Sequence, residues 1–254
     1  MSKRVAFLGC GKIGQAMLRH LLRQGEHTIS FVQDPFFQKE EGMDFPVVSQ
    51  LDPALLEQTD LVVECATADV LKANFEAILS RCDLMTFSVT AFSDAAFEEK
   101  ARALLAQADH QIYLPHGAIL GIDGLFDGRE LLTSVSIVTT KNPPSLGRTD
   151  TQRTVVYQGP TRQACQLYPR NVNVHATVAL AGLGFDRTQS VVISDPAVST
   201  NAHKIVLEGE GIHFELDISS FTTGGVTGKY TPYSACGSLD RVLGSRGEVP
   251  FRFV

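Results

Sequence analysis

A short apolar run, Val5-Ala6-Phe7-Leu8, breaks directly into Gly9-x-Gly11-x-x-Gly14, and the amphipathic stretch IGQAMLRHLLRQ (13–24) follows at once. Few folds accept a strand that turns so sharply into a helix. Gly9 permits the tight turn, Gly11 lets the backbone approach a pyrophosphate, and Gly14 lets helix and strand pack closely. The helix start offers N–H groups and a partial positive charge to phosphates. A lone GxGxxG is weak evidence, but this one sits between a strand and a helix, where the signal is specific. It places dinucleotide contacts at Gly9, Gly11, Lys12, Ile13 and Gly14.

The first ~115 residues alternate strand and helix patterns. Apolar runs at 5–8, 28–32, 60–66, 83–89 and 111–115 are separated by helical stretches near 13–24, 52–58, 69–80 and 93–107. Continuous apolar strands joined by helices imply a parallel sheet covered on both faces. Asp52-Pro53 reads as an N-cap and first helical residue, and Ser93-Asp94 as an N-cap region. Residues 1–115 are therefore expected to form a doubly wound Rossmann domain, completed by the C-terminal region 230–254.

After Pro115 the pattern becomes β-rich, with runs at 132–140, 153–158, 188–194, 203–209 and 212–219 and helical stretches near 160–168 and 172–183. Ile212, Phe214, Leu216 and Ile218 alternate with polar residues, as in a sheet packed on one face. Residues 116–229 are expected to form a second α/β domain for substrate, catalysis and oligomerisation, with a mixed or largely antiparallel sheet. The helical pattern at 232–243 is expected to pack back on the first domain, and VPFRFV (249–254) suits a subunit contact or an internal strand.

Composition narrows the partners. A net charge of -6 without a Lys/Arg cluster argues against nucleic acid. No apolar stretch has the length of a membrane span, and MSKR runs straight into a strand without a leader pattern. The five cysteines are scattered and never form CxxC, so no metal site is expected and reduced thiols in the cytoplasm are the simpler reading.

Asp34 stands about 20 residues beyond the glycine loop, where a carboxylate takes ribose hydroxyls and repels a 2′-phosphate, favouring NAD over NADP. Its alternative is a turn aspartate beside Pro35. ECAT (64–67) closes a strand at the cofactor side, with backbone contacts expected at Ala66. Polar chemistry then gathers in the second half, at His116, Asn171, Asn173, His175, Asp195, Asn201 and His203. Asn171 and Asn173 stand where a helix begins and could serve as N-caps. His203 lies at the mouth of a new strand, after a polar loop, and is the candidate general acid–base. His20, His27, His110 and His213 read as surface or packing residues. Lys141, Arg148, Arg170, Arg187, Lys204 and Lys229 are unranked candidates for binding substrate carboxylates.

Taken together, the GxGxxG, GAI-x-G-x-D (117–123), NVNV-x-AT (171–177), DP-x4-N-x-H (195–203) and the YSA stretch (233–235) resemble the L-aspartate dehydrogenases, in order and over nearly the whole chain. The resemblance implies NAD(P)-dependent oxidative deamination of L-aspartate to iminoaspartate, then oxaloacetate and ammonia, with a place in pyridine nucleotide biosynthesis. It implies His203 as the catalytic histidine, cofactor contacts at Ala118 and Asn173, and a homodimer handling small molecules. His116, Asn171 and Asn201 are candidate substrate residues. Two departures stand out: His116 replaces a frequent serine, and TGGVTGKYT (223–231) replaces an NPKTS-like stretch. The rival readings are another two-domain dehydrogenase, of the homoserine or dihydropyridine-acid type, and a non-catalytic dinucleotide sensor.

Overall fold

A computed structural model describes residues 2–221 and 228–245. The C-terminal VPFRFV and most of the TGGVTGKYT segment lie outside the described residues. The chain divides into two compact units, each with its own sheet.

The first unit takes the described residues up to Ser88, Glu99–Pro115 and those from Pro232 onward. Its elements are β1 (Arg4–Leu8), α1 (Lys12–Gln24), β2 (Thr28–Gln33), β3 (Val47–Val48), α2 (Pro53–Leu56), β4 (Leu61–Glu64), α3 (Ala68–Leu79), β5 (Asp83–Thr86), α4 (Ala95–Leu105) and β6 (Ile112–Tyr113). All six strands are parallel, in the order β3-β2-β1-β4-β5-β6. The order reverses beside β1, which makes the carboxyl ends of β1 and β4 the place where a doubly wound sheet binds ligands. Val5 to Leu8 are fully buried, as a strand covered on both faces requires. Asp52 caps α2 through the Ala54 N–H, and Asp94 accepts from Ala96 and Phe97 N–H at the start of α4. The two-residue β3 is too short to show a pattern in sequence.

The last helix among the described residues, α8 (Tyr230–Leu243), puts Ala235 and Leu239 into the core of this unit with Phe7, Met17, Leu18 and Leu21. Leu239 is fully buried, and that burial stabilises the unit by about 2 kcal/mol. His20 on α1 binds the Asp240 carboxylate at 2.9 Å, a packing role for that histidine.

The second unit takes Val89–Glu98 and the described residues of His116–Thr231. It holds α5 (Ile122–Asp127), β7 (Leu132–Lys141), β8 (Thr154–Pro160), α6 (Thr161–Leu167), α7 (Asn173–Ala181), β9 (Gln189–Ser194), β10 (Thr200–Gly209) and β11 (Ile212–Phe221). The sheet order is β11-β10-β7-β9-β8, antiparallel except for the parallel pair β7–β9. It is therefore a mixed sheet. Val135, Ile137, Ile205 and Leu207 point to one face and pack with Leu125 and Val178 from α5 and α7. On the edge strand β11 the expected apolar row is only partly covered: Leu216 and Ile218 are half-buried while Phe214 is exposed.

Two expectations need correction, and one element is new. A single boundary at 115 misses Val89–Glu98, which packs with the second unit: Thr90 N–H donates to Asn173 Oδ1 at 3.2 Å, and Arg162 reaches Ser93 C=O and Glu98. Residues 122–127 form a helix that six residues between glycines could not announce. The strand expected from 203 begins at Thr200, so His203 is an interior strand residue rather than one at its mouth.

Candidate active site

The glycine loop has the geometry that its spacing implies. Gly9 has φ 81°, and a Cβ on it would meet the Ala66 backbone at 2.7 Å. A Cβ on Gly14 would stand 2.7 Å from Gly9 C=O, so this glycine sets the distance between α1 and the loop. Around Gly11 nothing lies within 4 Å of the position a Cβ would take, and as N-cap it gives α1 no side-chain cap. The first turn, Lys12-Ile13-Gly14, thus starts in open space without a capping side chain. An open cradle, an uncapped helix start and a carboxylate at the end of β2 fit a dinucleotide.

Asp34 also holds the loop itself. Its Oδ2 accepts from Cys10 N–H at 2.7 Å and its Oδ1 from Phe36 N–H at 2.8 Å. Ala66 differs from expectation in one respect: its N–H donates to Glu64 Oε1 at 2.8 Å and is spent inside the protein. Glu64 is fully buried and accepts further bonds from Thr86 Oγ1, Ser88 N–H and Ser88 Oγ. Burial raises its pKa, and these bonds oppose the shift. The carboxyl ends of β4 and β5 are thereby tied together behind the loop.

The second constellation stands on the helix-covered face of the second sheet. Burial alternates along β10, so Asn201, His203, Ile205 and Leu207 share that face. On β7 the inward residues are Val135, Ile137, Thr139 and Lys141. The antiparallel register sets Thr139 opposite His203. At this end of the sheet, hydroxyl, imidazole and ammonium groups replace the aliphatic core. Such a breach of the apolar pattern marks a functional site more often than a packing solution.

Thr139 Oγ1 lies 2.8 Å from His203 Nδ1 and 2.5 Å from Nε2 of His175 on α7. His203 is 5% exposed. Burial first, and the Lys141 charge second, bring its pKa down from 6.5 to about 4, so the imidazole is neutral near pH 7. His175 is pushed the same way by burial, then by His203 and Lys141. Lys141 is 3% exposed; burial lowers its pKa to about 8, and its Nζ donates to Asn171 Oδ1 at 3.2 Å.

Asn171 therefore belongs to this cluster through Lys141, and Asn201 sits two residues from His203 on the same face. Neither Asn171 nor Asn173 caps α7: Val172 is the N-cap, without a side-chain bond, and Asn173 turns its carbonyl oxygen to Thr90 N–H. His116 and Ala118 occupy a turn closed by Ile119 N–H to His116 C=O at 3.3 Å, with Gly117 at φ 61°. Thr139 was not among the candidates, His175 was named with the polar residues but given no role, and Lys141 was one of six unranked cations. The period-two pattern of TSVSIVTTK could have found two of them, because Val135 and Ile137 inward force Thr139 and Lys141 inward as well. Of the other cations, Arg148 pairs with Asp150 and Lys204 with Glu215, while Arg170, Arg187 and Lys229 are exposed.

Comparison with known proteins bears on the family and the fold. Residues 125–242 match the family described as "Aspartate dehydrogenase, C-terminal", and residues 9–115 match "Homoserine dehydrogenase, NAD binding domain". The chain is 35% identical to L-aspartate dehydrogenase 1 of Bordetella pertussis, over 85% of this chain and 86% of that one. It is 36% identical to L-aspartate dehydrogenase of Methanosarcina barkeri, over 82% and 84%. The crystal structure of aspartate dehydrogenase from Thermotoga maritima superposes with a TM-score of 0.77 at 26% identity, covering 99% of this chain and all of that one. A dihydrodipicolinate reductase from Paenisporosarcina, at 15% identity and a TM-score of 0.53, shares the fold alone. With a dinucleotide cradle in one unit, a buried histidine–lysine cluster in the other and relatives of this closeness over most of its length, the chain belongs to the L-aspartate dehydrogenase family.

Proposed function

We propose that this protein catalyses the NAD(P)-dependent oxidative deamination of L-aspartate, reversibly, with His203 as its acid–base group. The observation that carries the residue assignment is a buried imidazole, bonded through Nδ1 to Thr139, on the same sheet face as a buried lysine. A bound nicotinamide dinucleotide supplies the hydride acceptor for the substrate Cα–H. Gly9, Gly11, Lys12, Ile13 and Gly14 hold its pyrophosphate, Asp34 its ribose hydroxyls, and Ala66, Ala118 and Asn173 line its path. Lys141, dry and cationic, pairs with a substrate carboxylate; such a charge-assisted bond is stronger in a desolvated site than at a surface. Asn171 fixes the Lys141 ammonium. His203 takes a proton from the water that adds to iminoaspartate and returns it to the nitrogen, which leaves as ammonia. We assign His116 and Asn201 to the substrate as well.

Asp34 supports a preference for NAD by its charge. The face of the second sheet opposite α7 carries half-buried Val138, Val191 and Val206, which supports a homodimer; sedimentation analysis tests it. No helix among the described residues is long and apolar enough to cross a membrane. Five unpaired cysteines support a reducing, cytoplasmic setting, and the negative charge supports small molecules rather than nucleic acid as partners. A role in pyridine nucleotide biosynthesis rests on the family alone.

The test is reduced-cofactor formation with L-aspartate, set against D-aspartate, glutamate and homoserine. His203→Ala should cut turnover by about two to four orders of magnitude while cofactor affinity holds. Lys141→Met should raise the KM for aspartate about tenfold or more, as loss of a buried charge pair does. Near-normal turnover by His203→Ala, or no response to L-aspartate, refutes the assignment.

A further inference from the structure

The hydrogen bonds that begin at His203 run inward as a single chain, and its direction is set at the far end. Thr161, the first residue of α6, donates its hydroxyl to the Thr188 carbonyl at 3.0 Å, and its N–H reaches the same oxygen at 2.9 Å. A carbonyl can only accept, so the one hydroxyl proton of Thr161 is committed. Ser190 Oγ, 2.7 Å from Thr161 Oγ1, must then be the donor of that pair. With its only proton spent, Ser190 accepts from His175 Nδ1 at 2.8 Å, which makes Nδ1 the protonated nitrogen of His175.

His175 is fully buried, and the described ionisable groups that act on it are His203 and Lys141. Among the described residues no carboxylate stabilises an imidazolium there, so the ring is neutral and its Nε2 is a bare acceptor. Thr139 donates to that Nε2. Its lone pair is then what faces His203, and His203 Nδ1 must donate to it. From β11 the residue paired with His203 is Ile218, which offers no competing polar group.

We infer that Thr161, Ser190, His175 and Thr139 are positioning residues that hold His203 as its Nδ1–H tautomer, so that Nε2 carries the lone pair used in the reaction. The inference rests on the reading of His203 as the acid–base group. It makes the direction of proton transfer a property of α6, α7 and the sheet together. A neutral imidazole without such a partner prefers the Nε2–H form in water, which would present a donor instead of an acceptor. The hydrogen bond made by the far nitrogen decides which nitrogen works.

Two-bond proton–nitrogen correlation spectra of the 15N-histidine-labelled full chain, with cofactor bound at neutral pH, read each tautomer directly. His203, assigned by its loss in His203→Ala, should show a protonated Nδ1 and a bare Nε2. Thr139→Val, close in shape but without the hydroxyl, should convert His203 to the Nε2–H form and lower kcat about tenfold to hundredfold, with cofactor affinity changed by less than about threefold. Thr139→Ser should restore both the tautomer and the rate. Ser190→Ala, at the remote end, leaves Thr139 in place and should still shift the populations of His175 and His203. An Nε2–H form of His203 in the unaltered protein overturns the inference, as does a Thr139→Val enzyme that keeps tautomer and rate. These outcomes leave the acid–base role standing if His203→Ala is inactive. An active His203→Ala removes that role whatever the tautomer.

Discussion

Buried neutral histidines make the second unit sensitive to acid, and the size of the effect follows from His203. Its pKa is about 4 in the folded protein against 6.5 for a free side chain. The folded value is the lower one, so between the two the unfolded chain binds more protons, and stability falls as pH drops through that window. At about pH 7 the term is close to zero. At about pH 5 the unfolded side chain is almost fully protonated and the folded one is not, which costs about 1.4 kcal/mol per pH unit over about 1.5 units, or about 2 kcal/mol. His175, shifted in the same direction by burial, adds to the loss. Carboxylates also titrate on the way down, so the clean quantity is a difference between proteins. His203→Gln keeps an amide beside Thr139 and removes the titrating group. The chain has no tryptophan, so urea unfolding is followed by far-ultraviolet circular dichroism. On going from neutral pH to about pH 5, the unaltered protein should lose about 2 kcal/mol more than His203→Gln. Equal losses would mean that burial does not depress the His203 pKa, and the account of a desolvated base would fall with it.

Two further substitutions probe the other unit. Asp34→Asn keeps an acceptor for the loop but removes the charge that repels a 2′-phosphate, so the NAD to NADP ratio of kcat/KM should fall about tenfold; an unchanged ratio means that Asp34 only braces Cys10 and Phe36. Gly14→Ala puts a methyl group against Gly9 C=O and Cys65 Sγ, which should cost about 1–3 kcal/mol of stability and weaken dinucleotide binding measured by calorimetry.

Much of the fold was legible because its signals are local. The run into Gly9, the caps at Asp52 and Asp94, and the alternation along β11 each depend on a few neighbouring residues. The two-residue β3 and the helix α5 escaped notice because so short an element leaves no period to read. The site was less legible, for a different reason. His203 could be singled out by its loop and its resemblance, yet its partners come from two other elements, β7 and α7. Only the β7–β10 register brings Thr139 beside it, and only the packing of α7 brings His175. Asn171 and Asn173 illustrate the limit well. Residues two apart at a helix start suggest caps, but one serves Lys141 and the other serves Thr90, and no sequence window contains either pair.

The placement of Val89–Glu98 has a consequence for how this protein can be taken apart. A fragment cut at 116–231 would be contiguous in sequence yet incomplete as an object. It would leave the Asn173 carbonyl oxygen without the Thr90 N–H, deprive Arg162 of Glu98, and bare the ground that Ala91 and Phe92 cover. Grafting this catalytic half onto another cofactor half therefore requires transplanting the connection after β5 as well. The two units are woven in the chain, and recombination between relatives should succeed only where both crossings move together.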